Sequence, residues 1–357
     1  MKIHSRKPRN WLINCICLLF FLGRCYALDA YSRFRVEEGT GPVTAAGTFG
    51  YGGTCYGVGE EGADLDAIYT EAIDMAQVAL DALNNYANSA TVRATVQTFL
   101  GIKPASETST TVLADHANYF TTAKNVLEAI IAFSNGKGLE KPGLFCDDSW
   151  RWKTKMVYSQ STGEMTTTTV SEDTGGKEQW NWWSPLYRKH VGTGEGCINN
   201  GESATFGFTC HEEGAQSITM CPISFSYPKR YTLSAYRSGE KVVPEGKALQ
   251  TYMFIPGILL HELAHLVTEG DVSDIPIRIG GSAAKKAYGA VLVETLAKGL
   301  PEYAVQNADS YNWFATAIYI DQCDWSRGKC AKTPSCLAFE ALGEDYSLSS
   351  LINGRGE

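Results

Sequence analysis

The segment His261-Glu262-Leu263-Ala264-His265 sets two imidazoles four residues apart, with a carboxylate between them. On a helix, side chains at i and i+4 lie one above the other, so both rings can reach a single metal ion. Glu262 stands one step round the helix, where its carboxylate can reach a water on that ion. A zinc-bound water loses its proton near neutral pH, so this cluster can make a hydroxide nucleophile and supply the base that prepares it. The chain has 6 His and 39 Asp plus Glu among 357 residues; roughly 0.01 chance matches to the pattern are expected, and coincidence is a poor account of it. A plain core helix is a poor account too, because two His and a Glu buried without partners would be costly.

Two imidazoles leave such a site one ligand short, since catalytic zinc keeps three protein ligands and one water. Four downstream carboxylates compete: Glu269, Asp271, Asp274 and Glu294. Glu269 shares the face of His265 but stands too near the helix end to wrap round the ion. Asp271 occupies the position at which the longer H-E-x-x-H-x-x-G-x-x-H pattern carries its third ligand, although Thr268 replaces the turn glycine of that pattern. Asp274 lies beyond Gly270, from where the chain can loop back beneath the metal. Glu294 would reach in from the next helix.

The elements that must position these residues are partly legible. The motif sits in the apolar run Ile258-Leu259-Leu260 to Leu266-Val267, which predicts a helix opening near Pro256 and ending at Gly270. Apolar spacings of three and four predict earlier helices over 64–86, 92–100 and 111–133. His116, in the third of these, reads as structural. Residues 144–228 read as β-rich: 150–153 alternate, and runs at 156–158 and 165–170 flank a Ser161-Thr162-Gly163 turn. Trp180, Trp182 and Trp183 read as a packing cluster rather than a ligand platform. Residues 217–225 read as a strand, with Pro222 marking a sheet edge beside the metal helix. An extended substrate could add itself there as one more strand. Two more helices are expected at 282–297 and 307–320. The glycines of 28–62 do not make a phosphate loop, because no Lys-Ser/Thr follows them.

The basic start Lys2, Arg6, Lys7 and Arg9, the apolar 11–22 and the small residues before Leu28 read as a signal peptide over 1–27. The apolar run is short for a membrane span. The expected product is secreted and extracellular, with no membrane association after cleavage. It divides into a Gly-rich start and helical region (28–140), a β-rich region (141–245), a catalytic helical region with the metal site (246–345) and a polar tail (346–357). Whether 28–140 is removed as a propeptide is not legible, and neither is the oligomeric state. Of 11 Cys, Cys15, Cys17 and Cys25 fall in the signal, and the even remainder implies disulfides. A net charge of −8 with no basic stripe excludes nucleic acid as a natural partner. No N-x-S/T sequon occurs, so N-glycosylation is not expected.

Over roughly residues 215–320 the chain resembles the deuterolysin-type, or aspzincin, zinc endopeptidases, which include the fungal lysine-specific metallo-endopeptidases. The resemblance is carried by His261-Glu262-x-x-His265, a following Asp, Tyr288-Gly289, Asn307-Ala308-Asp309-Ser310-Tyr311 and Phe314, preceded by a strand with Cys221-Pro222. It implies an α+β, zincin-like, disulfide-stabilised fold and a secreted endopeptidase that uses one catalytic zinc ion on a peptide or protein substrate. The family's G-T-x-D-x-x-Y-G motif is altered here. Aligned on Tyr288-Gly289, its Asp becomes Lys285, and a charged lysine cannot bind zinc. Aligned on distance from the metal helix, it becomes Asp274, with an insertion before Tyr288. The resemblance thus implies His261, His265 and Asp274 as ligands, Glu262 as general base and Tyr288 as a phenol donor. Asp309 would orient a ligand ring, unless it or Asn307 serves as a helix N-cap. The competing expectation is a catalytically weak zinc-binding or host-interaction protein on a peptidase-like scaffold.

Overall fold

The computed structural model describes residues 30–36, 55, 64–148, 150–158, 165–169, 181–184, 186–187, 189–193, 196–197, 205–225, 232–278 and 284–332. The expected signal peptide, nearly all of the Gly-rich start, the 161–163 turn, Trp180, Cys336 and the polar tail lie outside these residues.

After a short helical turn at Ala30–Arg33, two longer helices follow. Helix α1, Leu65–Asn84, starts where the Asp64 side chain accepts from Ala67 N, and helix α2, Ala90–Leu100, starts where Ser89 accepts from Val92 N. Each cap satisfies an N–H that the helix itself leaves unpaired. Gly101, at φ 70, closes α2 in the left-handed conformation that favours glycine. Helix α3 runs over Ala117–Ser134, later than the 111–133 read from the sequence. The difference arises because Val112 bridges to Pro104 in extended conformation, and Lys103 N donates to His116 Nδ1 at 3.2 Å. His116 is thereby a structural acceptor.

The helix that carries His261 and His265, α4, spans Ile255–Val267 and is buried from Ile255 through Leu266. A helix apolar on nearly every side belongs in a core. It packs on α1, on α3 and on a later helix over Ala308–Tyr319, and its other side meets a sheet. That sheet has the order β1 (Arg35–Val36), β2 (Gly143–Phe145), β8 (Ser217–Met220), β7 (Gly207–Cys210). The first three strands are parallel and β7 is antiparallel to β8. The expected edge strand over 217–225 is therefore corrected. β8 ends at Met220 and is interior, and Pro222 opens a short helical turn, Pro222–Phe225. Proline has no N–H for the ladder, so pairing stops before it. The edge beside α4 is β7, tied to it by Thr209. A second antiparallel sheet has the order β4 (Met165–Thr169), β3 (Trp152–Tyr158), β5 (Asn181–Ser184), β6 (Lys189–Thr193).

The helix read at 282–297 is also corrected. Lys285–Lys286 form a strand instead, β10, antiparallel to β9 (Pro276–Ile277), with Lys285 opposite Ile277; we refer to the pair as the β9–β10 hairpin. Helix α5 begins only at Ala290 and runs to Gly299. Gly289, at φ 84, breaks the run, and a Cβ there would sit 2.7 Å from Gln250 Oε1. Helix α6, Ala308–Tyr319, completes the set. Disulfides join Cys55 to Cys146, Cys197 to Cys221 and Cys323 to Cys330; Cys210 is a buried thiol. Among the described residues, no helix is long and apolar enough to cross a membrane.

Candidate metal centre

His261 Nε2 and His265 Nε2 lie 3.1 Å apart, and Asp274 Oδ1 lies 3.2 Å from the first and 3.3 Å from the second. Three donors bound tetrahedrally at about 2.0–2.1 Å from one zinc ion are about 3.3 Å from one another. The triangle therefore has the size such an ion requires. Its chemistry agrees. His265 Nδ1 sits 2.8 Å from the Val272 carbonyl, which fixes the proton on that nitrogen and leaves Nε2 a lone pair. His261 Nδ1 faces Asp309 Oδ1 at 3.4 Å, with the same consequence. Asp274 Oδ1 is buried and accepts no hydrogen bond. Three acceptors turned towards one point repel one another unless a cation lies among them, so the donor set fits a divalent metal.

The turn after α4 delivers Asp274. Glu269 (φ 52) and Gly270 (φ 92) reverse the chain, with Gly270 N donating to His265 O at 3.1 Å. Thr268 Oγ1 donates to Ala264 O at 2.7 Å and accepts from Val272 N at 3.1 Å. Beyond the turn, Ser273 N donates to Gln306 O and Ile275 N to Asn307 Oδ1, which pins both sides of Asp274 to the start of α6. Asn307 thus braces the loop that carries Asp274 and makes no side-chain cap. The other carboxylates weighed from the sequence are placed elsewhere. Asp271 is exposed, and Glu294 lies against the Gly328 turn and Lys298.

Glu262 is buried beside β7. Thr209 Oγ1 lies 2.8 Å from Glu262 Oε2 and 3.1 Å from its backbone carbonyl; its single proton best serves the nearer oxygen. Burial pushes the Glu262 carboxyl up, against the lowering effect of both histidines and Thr209. Gly207 makes room for it, since a Cβ at 207 would stand 2.8 Å from Oε1.

Asp309 sits behind His261. Its Oδ1 accepts from Asn312 Nδ2 at 2.9 Å, and its Oδ2 from Trp313 Nε1 at 2.8 Å and Gly289 N at 2.5 Å. Burial opposes positive charge at His261, but the Asp274 and Asp309 carboxylates favour it and raise the pKa; a metal ion would take the place of that proton on Nε2. The half-exposed Tyr288 donates its phenol to Asp274 Oδ2 at 2.6 Å. Burial of the hydroxyl end, with the Asp274 charge, pushes that phenol well up. Lys286 Nζ lies 3.1 Å from both Asp274 Oδ2 and the Tyr288 oxygen.

Sequence reasoning reached neither Thr209 nor Lys286, nor His211, whose ring centroid stands 6.5 Å from that of His265. The strand turn that carries Thr209 and His211 has no local signature. Lys286 was hidden because 282–297 read as a helix. No protein-family model and no curated protein matches this sequence. Among solved structures, the chain is similar to a zinc peptidase from Grifola frondosa, with 14% sequence identity, 71% of this chain and 93% of that chain covered, and a TM-score of 0.34.

Proposed function

We propose that this chain is a zinc-dependent endopeptidase acting on extended peptide or protein segments. The observation that carries the reading is the convergence of two imidazole lone pairs and one unpartnered carboxylate oxygen within 3.1 to 3.3 Å of one another, next to a buried glutamate. His261, His265 and Asp274 would hold the ion, which when bound would polarise a water and the scissile carbonyl. Glu262 takes the proton of the attacking water and passes it to the leaving amine. Thr209 keeps Oε2 oriented, so the second oxygen is the one that receives the proton. The Tyr288 phenol is the donor for charge that develops on the carbonyl oxygen. Substrate adds to β7, the outer strand of its sheet among the described residues, where backbone pairing is indifferent to most side chains and presents an internal peptide bond. Three disulfides support an extracellular setting.

The test uses a quenched fluorescent peptide mixture. Cleavage should disappear with chelator, return with zinc, and fall about 10²–10⁴-fold in Glu262→Gln with zinc still bound. Zinc binding without cleavage of any peptide would make the chain a metal-capturing protein instead. Cleavage indifferent to chelator would remove the metal from the reading.

A further inference from the structure

The carboxylate of Asp274 is divided between two tasks. Its Oδ1 faces the imidazole pair, buried and without a hydrogen bond. Its Oδ2 takes the Tyr288 phenol at 2.6 Å and the Lys286 ammonium at 3.1 Å. The ammonium also lies 3.1 Å from the phenol oxygen. Because the phenol proton is committed to Oδ2, the phenol oxygen is left to accept from Lys286, and the three groups close a ring. Lys286 has this position because the hairpin β9–β10 folds Pro276 back against it in register. Its side chain is 56% exposed, so it is retained there by the two bonds and not by packing.

Resting on the metallopeptidase reading above, we propose that Lys286 is a positioning residue that holds Asp274 as a one-oxygen metal ligand and frees Tyr288 to act. A carboxylate with both oxygens unbound can rotate or chelate through both. With Oδ2 bonded outward, only Oδ1 remains for the ion, and hydrogen bonds to the outer oxygen of a ligand are known to govern metal affinity. The second consequence concerns the phenol. To donate to a developing oxyanion, Tyr288 must release Oδ2. The ammonium remains on that oxygen when it does, so the ligand keeps its outer bond through the exchange. No bond other than hydrogen bonds is made or broken.

The test compares Lys286→Met, Lys286→Gln and Lys286→Arg with the intact chain, and uses Lys285→Met, the exposed neighbour on the same strand, as control. Zinc affinity is read by competition with a fluorescent chelator, independently of any turnover, and kcat and KM are then measured on the zinc-loaded proteins. Met and Gln should each weaken zinc binding about tenfold or more and lower kcat with little change in KM. Arg, which keeps the charge and the donors, and the Lys285 control should stay within about threefold of the intact chain. Met and Gln variants that bind zinc as tightly as the intact chain, or an Arg variant as weak as Met, would overturn the proposal. A loss of affinity equal in Lys285→Met would assign the effect to hairpin folding and overturn it too. If the intact chain takes up no zinc, it is the metal reading itself that fails, and that result is distinct from all of these.

Discussion

A ligand imidazole is only as well aimed as the group behind it. Asp309 is held from both sides, by Asn312 and by Trp313 and Gly289, so the carboxylate cannot turn away from His261. Asp309→Asn keeps the shape but removes the charge facing Nδ1. Zinc affinity is expected to fall about 10–100-fold, measured by chelator competition. Gly207 makes a different prediction at the same scale. An added methyl would stand 2.8 Å from Glu262 Oε1, with Thr219 O also 3.1 Å away, so the glutamate must move. A misplacement of about 1 Å costs up to about 10²-fold in rate. Gly207→Ala should lose roughly that much kcat while zinc binding stays within about threefold; an unchanged kcat would show that the position of Oε1 does not matter. The pairing of His261 with His265 was legible in the sequence, because helical periodicity alone brings them together. The contact of Thr209 with Glu262 was not, since it spans 53 residues and depends on which strand of the sheet lies next to α4.

The elements were legible where one period dominates. The recurrence of Leu65, Ile68, Tyr69, Ala72 and Met75 gave α1 within two residues of its observed ends. Legibility failed where a short extended segment borders a helix. Alternation cannot be detected in two residues, so β10 was absorbed into α5, although the insertion before Tyr288, which lets it meet Asp274, was legible. Between elements, the informative group is Glu71. From α1 it accepts from Leu233 N, Thr232 Oγ1 and, at 3.3 Å, Tyr319 OH of α6. Burial raises its pKa above the ordinary 4.5, more than these hydrogen bonds lower it. A carboxyl whose folded value is raised binds more protons when folded. Its contribution to stability is therefore complete below about pH 4.5, is lost as pH rises through the folded value, and is level beyond it. Glu71→Gln has no such titration. The thermal midpoint of the intact chain minus that of Glu71→Gln should accordingly decline between pH 4 and pH 7; a difference that is constant or grows would contradict the burial argument.

At the scale of the whole molecule, the candidate site is a junction. The two imidazoles belong to α4, which packs on α1, α3 and α6 as well as on β7 and β8. Asp274, the third candidate ligand, belongs to a loop stitched to the start of α6 through Ser273, Ile275 and Asn307. Asp274 also anchors the hairpin through Lys286 and Tyr288, and Tyr288 leads through Gly289 into α5. A metal that binds this arrangement and not the unfolded chain stabilises it by about 2.7 kcal/mol at a free concentration of 100 Kd. For a domain of 150–250 residues, 1 kcal/mol moves the midpoint by about 2–4 °C, so a shift of several degrees is expected for this larger chain. Chelator should lower the melting temperature by that amount, and zinc should restore it. Asp274→Ala should abolish most of the zinc-dependent shift, because it removes the ligand that joins α4 to the α6 side. Asp271→Ala should leave it intact, since Asp271 is exposed and lies outside the group of His261, His265 and Asp274. Equal shifts in the two variants would mean that the ion sits somewhere other than between these three side chains.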